Sequence, residues 1–599
     1  MPGYDESSLA SLEAYVGTLS HDQALGVVGA LHALRVRMFG AGSPGRLAAA
    51  LERLASGGPL DRQLLATGLL PVKVTHFARD DVYRAMNVSR PAAPSARARP
   101  TRGVIGPSDL RDLSELTLDV IVVGSGAGGA VVAHELAIRG ASVLIVEEGG
   151  WFTRSDFGGA ALETTTRMYR NAGLTFTLGT PPIFLPVGRT VGGTTTINSG
   201  TCYRAPDRVL ERWVSMGLGD FAPKRLEGHF EAVESVLGVA EAQASYLGEG
   251  ARLIAQGCDI LGYRHAPLRR NAPDCDGQGR CALGCPTDAK RSTNVSYVPL
   301  ALARGASIAP STKLVSLARS GARVTSAVVE HSPTRSRYTL HAKSVVISAG
   351  ALRTPLILKA AGIRSPLLGR NLSIHPAAAA YAGFDRSLDP MRAIPQSYSI
   401  EAFHEAGLLF EGGTVPPELA AGAFPLLGPE LQDTMEAFDR TASFGFLIED
   451  EGHGRVLGEY KELPLVRYEL SDRDVRRIQR GLEILVGIYL AAGARWVRPL
   501  LTFDRVIRSF DELRAFSGEQ LTRSSLQLTA YHPLGTARAS ISPADGVAGP
   551  DGRVHGTENL FVADGSVLPT SPAVNPQVTI MAVARHIAER LADRVASSS

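Results

Sequence analysis

Four residues in one short stretch have the types and spacing that bind a dinucleotide. Gly124, Gly126 and Gly129 form a G-x-G-x-x-G pattern, and Glu147 follows 147 − 124 = 23 residues after the first glycine. In this pattern the glycines allow a tight turn, a close approach of backbone to a pyrophosphate, and close helix packing, while the acid binds ribose hydroxyls. The four residues therefore predict a dinucleotide site.

A strand, a helix and a second strand must hold these residues in place. Leu118 to Val123 is a short apolar run rich in β-branched residues, which is typical of a strand buried on both faces of a parallel sheet. Free N–H groups where the following helix begins favour an anion. Ser142 to Val146 predicts the second strand. Strand, glycines, helix, strand and acid occur in the order that the motif requires.

Three of the chain's five cysteines form a second cluster with chemical potential. Cys275, Cys281 and Cys285 make a C-x5-C-x3-C array with glycines between them. Thiolates in glycine-rich loops are typical iron-sulfur ligands, and Pro286 after the last cysteine is common in ferredoxin-type runs. A structural zinc needs four ligands, so a neighbouring Asp or His would have to complete the set. A cluster, structural thiols, and zinc or redox-disulfide chemistry all stay open.

The composition fits a large soluble globular enzyme with more than one core. The chain has 599 residues, is 44% hydrophobic and 20% charged, and carries a net charge of 62 − 59 = +3. This charge is too small to predict a nucleic-acid partner. No apolar run approaches the roughly 18–20 residues of a transmembrane segment, and no secretory signal is visible. Few cysteines make the cytoplasm the default, while export with a partner subunit and peripheral membrane association stay open.

Residues 1–90 predict a helical N-terminal extension. Ser20 and Gln23 could form a capping box, and apolar residues recur at helical spacing from there to Gly40. The extension contains no catalytic constellation, so it is expected to pack on the main body or to dock another subunit. Pro91 to Gly103 is rich in Pro, Ala and Arg and predicts an extended linker.

Several further segments occur in a recognisable order. A second glycine and hydroxyl cluster, GRTVGGTTTINSG, spans Gly188 to Gly200, and SAGALRTPLILKAAGI spans Ser348 to Ile363. Near the C-terminus stands HPLGT, which begins at His532. Together with GSGAGG and the acid-x-Gly after the second strand, these segments resemble the glucose-methanol-choline (GMC) family of FAD-dependent oxidoreductases. The resemblance covers about residue 118 to the C-terminus.

The resemblance implies an α/β fold: a Rossmann-like FAD-binding domain built from separated segments, with an inserted α+β substrate domain. The strand-like run Ala342 to Ile347, followed by a helical pattern, supports this split because nucleotide-domain patterning returns there. The predicted order is the extension 1–90, the linker 91–114, FAD-binding parts 115–204, 301–383 and 520–599, a cap region with the cysteine loop 205–300, and the substrate-binding segment 384–519.

The resemblance also implies the residues that contact FAD. Some members attach FAD through a histidine in the second glycine cluster, but Ile197 stands at that position here. We therefore expect non-covalent FAD. Lys313 to Leu317 is expected to carry Val315 towards the adenine. The implied contacts are Gly124, Gly126, Gly129, Glu147, Gly192, Gly193, Thr194, Asn198, Val315, Asp564, Gly565, Pro576 and Gln577.

His532 and Asn575 are the implied catalytic residues. Oxidising an alcohol removes a hydride from carbon and a proton from oxygen, so a neutral imidazole suits the base and flavin N5 suits the hydride acceptor. Asn575 is expected to orient the alkoxide and to cap the final helix, with Pro576 in its first turn. His375, in GRNLSIHP, is expected to help structure near the flavin rather than catalyse.

These residues predict FAD-dependent oxidation of an alcohol or sugar CH–OH group. A dehydrogenase is favoured, because some electron-transferring members of the family carry a three-cysteine [3Fe-4S] cluster in a similar loop, here Cys275, Cys281 and Cys285. Its electrons would pass to an acceptor protein, a small subunit or a quinone. The alternatives are an oxidase that releases hydrogen peroxide, for example from a long-chain or sterol alcohol, and a redox-neutral lyase that contains FAD.

Overall fold

Two large sheets organise the structure, a computed structural model that describes residues 5–19, 21–38, 43–88, 102–158, 160–452 and 454–597. Its helices are α1 (Glu6–Thr18), α2 (His21–Arg37), α3 (Pro44–Ser56), α4 (Pro59–Phe77), α5 (Asp80–Ala85), α6 (Pro107–Leu113), α7 (Ala127–Ala137), α8 (Ala161–Met168), α9 (Thr194–Ile197), α10 (Asp207–Ser215), α11 (Pro223–Leu237), α12 (Gly248–Leu261), α13 (Tyr297–Ala303), α14 (Thr354–Ala360), α15 (Pro417–Ala423), α16 (Gly428–Glu436), α17 (Asp472–Ala491), α18 (Phe510–Ser517) and α19 (Gln577–Ser597). Its strands are β1 (Thr117–Val123), β2 (Val143–Val146), β3 (Thr177–Leu178), β4 (Ala240–Glu241), β5 (His265–Pro267), β6 (Arg269–Arg270), β7 (Ser307–Ala309), β8 (Thr312–Ser320), β9 (Arg323–His331), β10 (Ser336–Ile347), β11 (Ala377–Gly383), β12 (Tyr398–Ile400), β13 (Leu408–Gly412), β14 (Thr441–Ile448), β15 (Arg455–Tyr460), β16 (Leu463–Arg467), β17 (Trp496–Pro499) and β18 (Leu560–Val562).

The first sheet has the order β7-β2-β1-β10-β9-β8, and β18 also pairs with β10. The pairs β1 with β2, β1 with β10, and β10 with β18 are parallel. Val120, Ile121 and Val122 of β1 are completely buried. Burial of each side chain contributes roughly 1.5–3 kcal/mol of hydrophobic stabilisation. Helices α7 and α13 pack on this sheet, and α19 packs on α7. The predicted strand at Leu118 to Val123 is confirmed.

Three distant parts of the chain end their strands at one edge of this sheet. Val123 lies opposite Ile347, and Ile347 lies opposite Val562. The residues that follow each strand therefore meet at the carboxyl edge, where ligands bind in open α/β sheets. This assembly from separated segments confirms the predicted fold class. The domain boundaries given above stay predictions.

The second sheet is antiparallel in its pairs and has the order β17-β11-β14-β13-β12-β5. Phe410, Phe444 and Phe446 are buried in its core, and Phe403 packs partly buried against them. The long helix α17 covers this sheet, with Ser471 capping its N-terminus by accepting from the Asp474 N–H. The packing of this sheet against α17 thus holds β13 and β14 in place.

The N-terminal helices α1 to α4 pack against one another, and α4 packs on α15 of the main body. Lys73 of α4 is buried, and its Nζ donates to the carbonyl oxygen of Phe424 at 2.7 Å. The predicted cap at Ser20, and most of the predicted linker from Pro91 to Gly103, lie outside the described residues. Within the described residues, no helix has the length and apolarity to cross a membrane.

Candidate active site

The glycine turn after β1 is shaped by close backbone packing. Gly124 has φ +101°, and a Cβ there would overlap the Ser348 carbonyl oxygen. A Cβ on Gly129 would overlap the carbonyl oxygen of Gly124, so α7 can approach β1 only with glycine at that position. A Cβ on Gly126 would instead meet no atom closer than the Cα of Gly193, at 3.9 Å. Gly124 to Gly129 together with Gly193 are called the cofactor cradle below.

Two buried acids hold the loops of this edge together. Glu147 Oε2 accepts from the Ser125 N–H at 2.9 Å, and Oε1 accepts from the Gly149 N–H at 2.8 Å. Asp564 similarly accepts from the N–H groups of Gly350 and Ser566, both at 2.8 Å. Burial raises the pKa of both carboxyls. Their oxygens already have protein partners, so any contact with a ribose or ribityl chain would be additional to these bonds.

The second glycine cluster faces the first. A Cβ on Gly193 would lie 3.1 Å from the Cα of Gly126, so the two loops approach backbone to backbone. Asn198 Nδ2 donates to Gln577 Oε1 at 2.5 Å, which ties this cluster to the start of α19. The Gly192 backbone packs instead against Thr196 and Asn294.

One cavity of about 2260 Å³ connects most of the predicted site residues. Gly129, Gly192 and Val315 lie outside its lining. Val315 follows Leu314, which is in the lining, and is 37% exposed, so its contact with the adenine stays a prediction. The predicted residues in the lining are Gly124, Gly126, Glu147, Gly193, Thr194, Asn198, His532, Asp564, Gly565, Asn575, Pro576 and Gln577.

His532 pairs with a second histidine. Its Nδ1 lies 3.1 Å from Nδ1 of His375, whose Nε2 lies 2.6 Å from the Ser571 hydroxyl. Burial lowers the pKa of both imidazoles, that of His532 well below 6.5, so both are neutral at pH 7. His532 Nε2 has no hydrogen-bond partner among the described residues. His375 therefore contacts the predicted base directly, which agrees with a supporting role.

Asn575 forms a hydrogen bond with Glu411, an acid that the sequence did not predict to be in the site. Its Nδ2 donates to Glu411 Oε1 at 3.1 Å, and burial raises the pKa of Glu411 to about 7. Asn575 Oδ1, Glu411 Oε2 and Gln577 Nε2 are buried and have no partner in the described part of the chain. All three residues line the cavity, and buried polar atoms without a protein partner are expected to pair with a bound molecule. The one sequence signal was a lone charge in the apolar run LLFEG of β13.

The start of α19 differs from the prediction by one residue. The helix begins at Gln577, and the Ile580 N–H donates to the Pro576 carbonyl oxygen at 2.8 Å. Asn575 is therefore not the N-cap, because its side chain points to Glu411 instead of the free N–H groups of the first turn. The N-terminus of the helix still lies at the cavity, where Pro576 and Gln577 are in the lining.

The three loop cysteines lie near two buried basic side chains, those of Arg270 and Lys290. Arg270 is buried and its Nη2 donates to Cys281 Sγ at 3.2 Å, while the Lys290 N–H donates to Cys285 Sγ at 3.4 Å. Burial raises the pKa of the Cys275 thiol. No group of three or more His, Cys, Asp or Glu residues in the described ranges could hold a metal ion. A guanidinium between thiols does not fit a [3Fe-4S] cluster, so the structure does not support the predicted cluster.

The residues of the cradle fit FAD. The backbone at Gly126 has room for a close approach, the Gln577 Nε2 atom has no partner in the described residues, and the N-terminus of α19 lies at the same cavity. Residues 117–198 match a family model described as FAD binding domain, and residues 165–377 and 459–584 match models described as GMC oxidoreductase.

Relatives and solved structures agree with these matches. An uncharacterised GMC-type oxidoreductase of Mycobacterium tuberculosis is 37% identical, over 80% of this chain and 76% of the relative. The long-chain-alcohol oxidase FAO4B of Arabidopsis thaliana is 28% identical, over 79% of this chain and 67% of the relative. The crystal structure of a pyridoxine 4-oxidase shares the fold, with a TM-score of 0.61, 19% identity, and coverage of 79% of this chain and 99% of that chain. The chain belongs to the glucose-methanol-choline family of FAD-dependent oxidoreductases.

Proposed function

We propose that the protein oxidises a primary alcohol with a long apolar tail to the aldehyde, with FAD as cofactor and oxygen as acceptor. The observation that carries the proposal is the convergence of His532, Asn575 and Glu411 on the cavity that also contains the cofactor cradle. The substrate loses a hydride from carbon and a proton from oxygen. Its two electrons and two protons convert oxygen to hydrogen peroxide.

His532 is proposed as the base, and its neighbours select the tautomer that can act. If Nδ1–H of His532 donates to Nδ1 of His375, then Nε2–H of His375 donates to the Ser571 hydroxyl oxygen. His532 Nε2 then has a free lone pair on the side of the cavity, where it can accept the alcohol proton. The lowered pKa of His532 keeps this lone pair available at neutral pH.

Asn575 and Glu411 are proposed to hold the alcohol oxygen. Asn575 is fixed by its bond to Glu411, and a neutral Glu411 can donate a hydrogen bond from the unpartnered Oε2. The cofactor cradle would hold FAD, which would supply the acceptor for the hydride of the alcohol carbon. The N-terminus of α19 favours the negative charge that develops nearby.

The choice of acceptor rests on two observations. The sequence favours a dehydrogenase because of the cysteine loop, but the thiols of that loop contact Arg270 and the Lys290 backbone. Curated relatives that match about four fifths of this chain are named long-chain-alcohol oxidases. These observations favour the oxidase over the dehydrogenase that the sequence predicts. Iron analysis of anaerobically purified protein tests the cluster directly, and bound iron would restore the dehydrogenase.

The proposed function is tested by mixing purified FAD-loaded protein with primary alcohols without air and following the flavin absorbance. We expect bleaching by long-chain alcohols, and hydrogen peroxide release when air is readmitted. Bleaching without peroxide would indicate a different acceptor. If no alcohol bleaches the flavin, the redox-neutral lyase predicted as an alternative becomes the better description.

A further inference from the structure

The cavity extends well beyond the cofactor cradle and the catalytic residues. Its volume of about 2260 Å³ includes the space at the cofactor cradle. The same continuous space that contains His532 reaches the N-terminal helices. We call this distant part the apolar lobe. Its lining includes Val27, Leu51 and Leu69 of the N-terminal helices and Ala172, Phe176 and Leu427 of the main body.

Side chains of the apolar lobe are exposed although they are large and apolar. Phe176 is 41% exposed and Leu178 is 52% exposed, and both line the cavity. Large apolar surfaces that face an interior cavity indicate a binding site for an apolar group. Burial lowers the pKa of Lys73, which also lines the cavity, to about 7, and its Nζ donates to the Phe424 carbonyl oxygen.

Helices α2 to α4 are attached firmly enough to act as part of a binding site. Lys73 joins α4 to the end of α15, and the Tyr83 hydroxyl donates to the buried carboxylate of Glu418 in α15. A Cβ on Gly422 would lie 2.7 Å from Leu70 Cδ1, which shows how closely α15 and α4 pack. On the other side, Leu427 packs against the small core formed by Leu34, Leu54 and Leu65.

We infer that the N-terminal extension is part of the substrate site, and that its helices α2, α3 and α4 bind the unbranched alkyl tail of the alcohol. This inference rests on the proposed function and names the residues that select chain length. The alcohol group lies at His532, and the tail extends into the apolar lobe. The three matched family segments begin only at residue 117, so they do not include this part of the site.

The first test is a series of unbranched primary alcohols from butanol to hexadecanol with the FAD-loaded protein. Each methylene that enters the lobe is worth about 0.8 kcal/mol, or a fourfold gain in kcat/KM for flavin reduction. We expect kcat/KM to rise with chain length until the lobe is filled. A flat profile, with flavin reduction intact, would overturn the inference but leave the proposed function standing.

The second test compares two substitutions on α2, one in the lining of the cavity and one outside it. Ala30 lines the cavity, whereas Ala33 is exposed and lies outside its lining. Ala30→Trp should lower kcat/KM for hexadecanol at least tenfold and leave butanol unchanged, while Ala33→Trp should change neither. Ala66→Trp repeats the test from α4, because Ala66 also lines the cavity, and it serves if Ala30→Trp does not fold.

A binding measurement separates the inference from the chemistry. A long-chain alcohol that carries a terminal pyrene should bind wild-type protein and Ala33→Trp, and should bind Ala30→Trp and Ala66→Trp at least tenfold more weakly. Fluorescence reports this binding whether or not the flavin is reduced. Equal binding to all four proteins would overturn the inference. Weakened binding to both lining variants, together with no reduction by any alcohol, would support the tail site and refute the oxidation.

Discussion

The two ends of the cavity present different kinds of surface to a substrate. At one end, two pairs of polar side chains form directed hydrogen bonds, His532 with His375 and Asn575 with Glu411. At the other end, the apolar lobe offers many apolar side chains, such as Val27, Leu51 and Leu69. A directed bond is lost completely when one partner is removed, whereas apolar contact decreases in proportion to area. The polar end should therefore set the rate for every alcohol, and the lobe should set the preference among alcohols.

Replacing the proposed base is the largest change that can be made at the polar end. His532→Ala should slow flavin reduction by about 10²–10⁴-fold, equally for short and long alcohols, because it removes proton transfer. Stopped-flow absorbance measures this rate, and His341→Ala, an exposed histidine far along the sequence, is the control. Unchanged reduction in His532→Ala would show that His532 is not the base. A loss confined to long alcohols would contradict the prediction that the polar end sets the rate for every alcohol.

The cofactor cradle gives a second comparison, because a side chain added at Gly126 would take space that FAD needs. Gly126→Ala has room within the protein, so the chain should fold normally. Its new methyl group would occupy cofactor space and weaken FAD binding by about 1–3 kcal/mol. Flavin absorbance after desalting measures the loss. Gly219→Ala, at an exposed glycine with no neighbour within 4 Å, is the matched control and should keep its FAD.

A shortened side chain in the lobe should have a graded effect. Leu69→Ala removes apolar surface from the tail site, and about 1 kcal/mol of tail binding should be lost, which lowers kcat/KM for hexadecanol roughly fivefold. Butanol should react as before, because its tail ends before the lobe. A loss of equal size for both alcohols would mean that Leu69 supports the fold and not the tail.

The smallest effect at neutral pH is expected for Glu411→Gln. Burial raises the pKa of Glu411 to about 7, so its carboxyl ionises as the pH rises through that value. An ionised Glu411 would repel the charge developing beside Asn575, so wild-type kcat/KM should fall above pH 7. Glutamine cannot ionise, and the variant should keep its activity there and change less than about threefold at pH 6. The acid side of both profiles should lie below pH 6.5, because burial lowers the pKa of His532. The same alkaline decline in both proteins would assign it to a group other than Glu411.

The sequence predicted what depends on local pattern. The strand, glycine turn and helix from Thr117 to Ala137 follow directly from residues close together in the chain. The pairing of His375 with His532 joins residues 157 positions apart, and Asn575 meets Glu411 across 164 positions. Such contacts arise from how the two sheets pack, which no local pattern contains. The apolar lobe was missed for the same reason, since its two sides come from the N-terminal helices and the main body.

The central position of β10 has a consequence for how the protein is made. Its parallel partners β1 and β18 are separated by 562 − 117 = 445 positions along the chain, so the sheet cannot be completed until almost all of the matched family region has been synthesised. Until then β10 exposes an unpaired edge of Val345, Val346 and Ile347, which is the kind of edge that aggregates. Such long-range pairing makes folding slow, so overproduction should benefit from slow synthesis and chaperones.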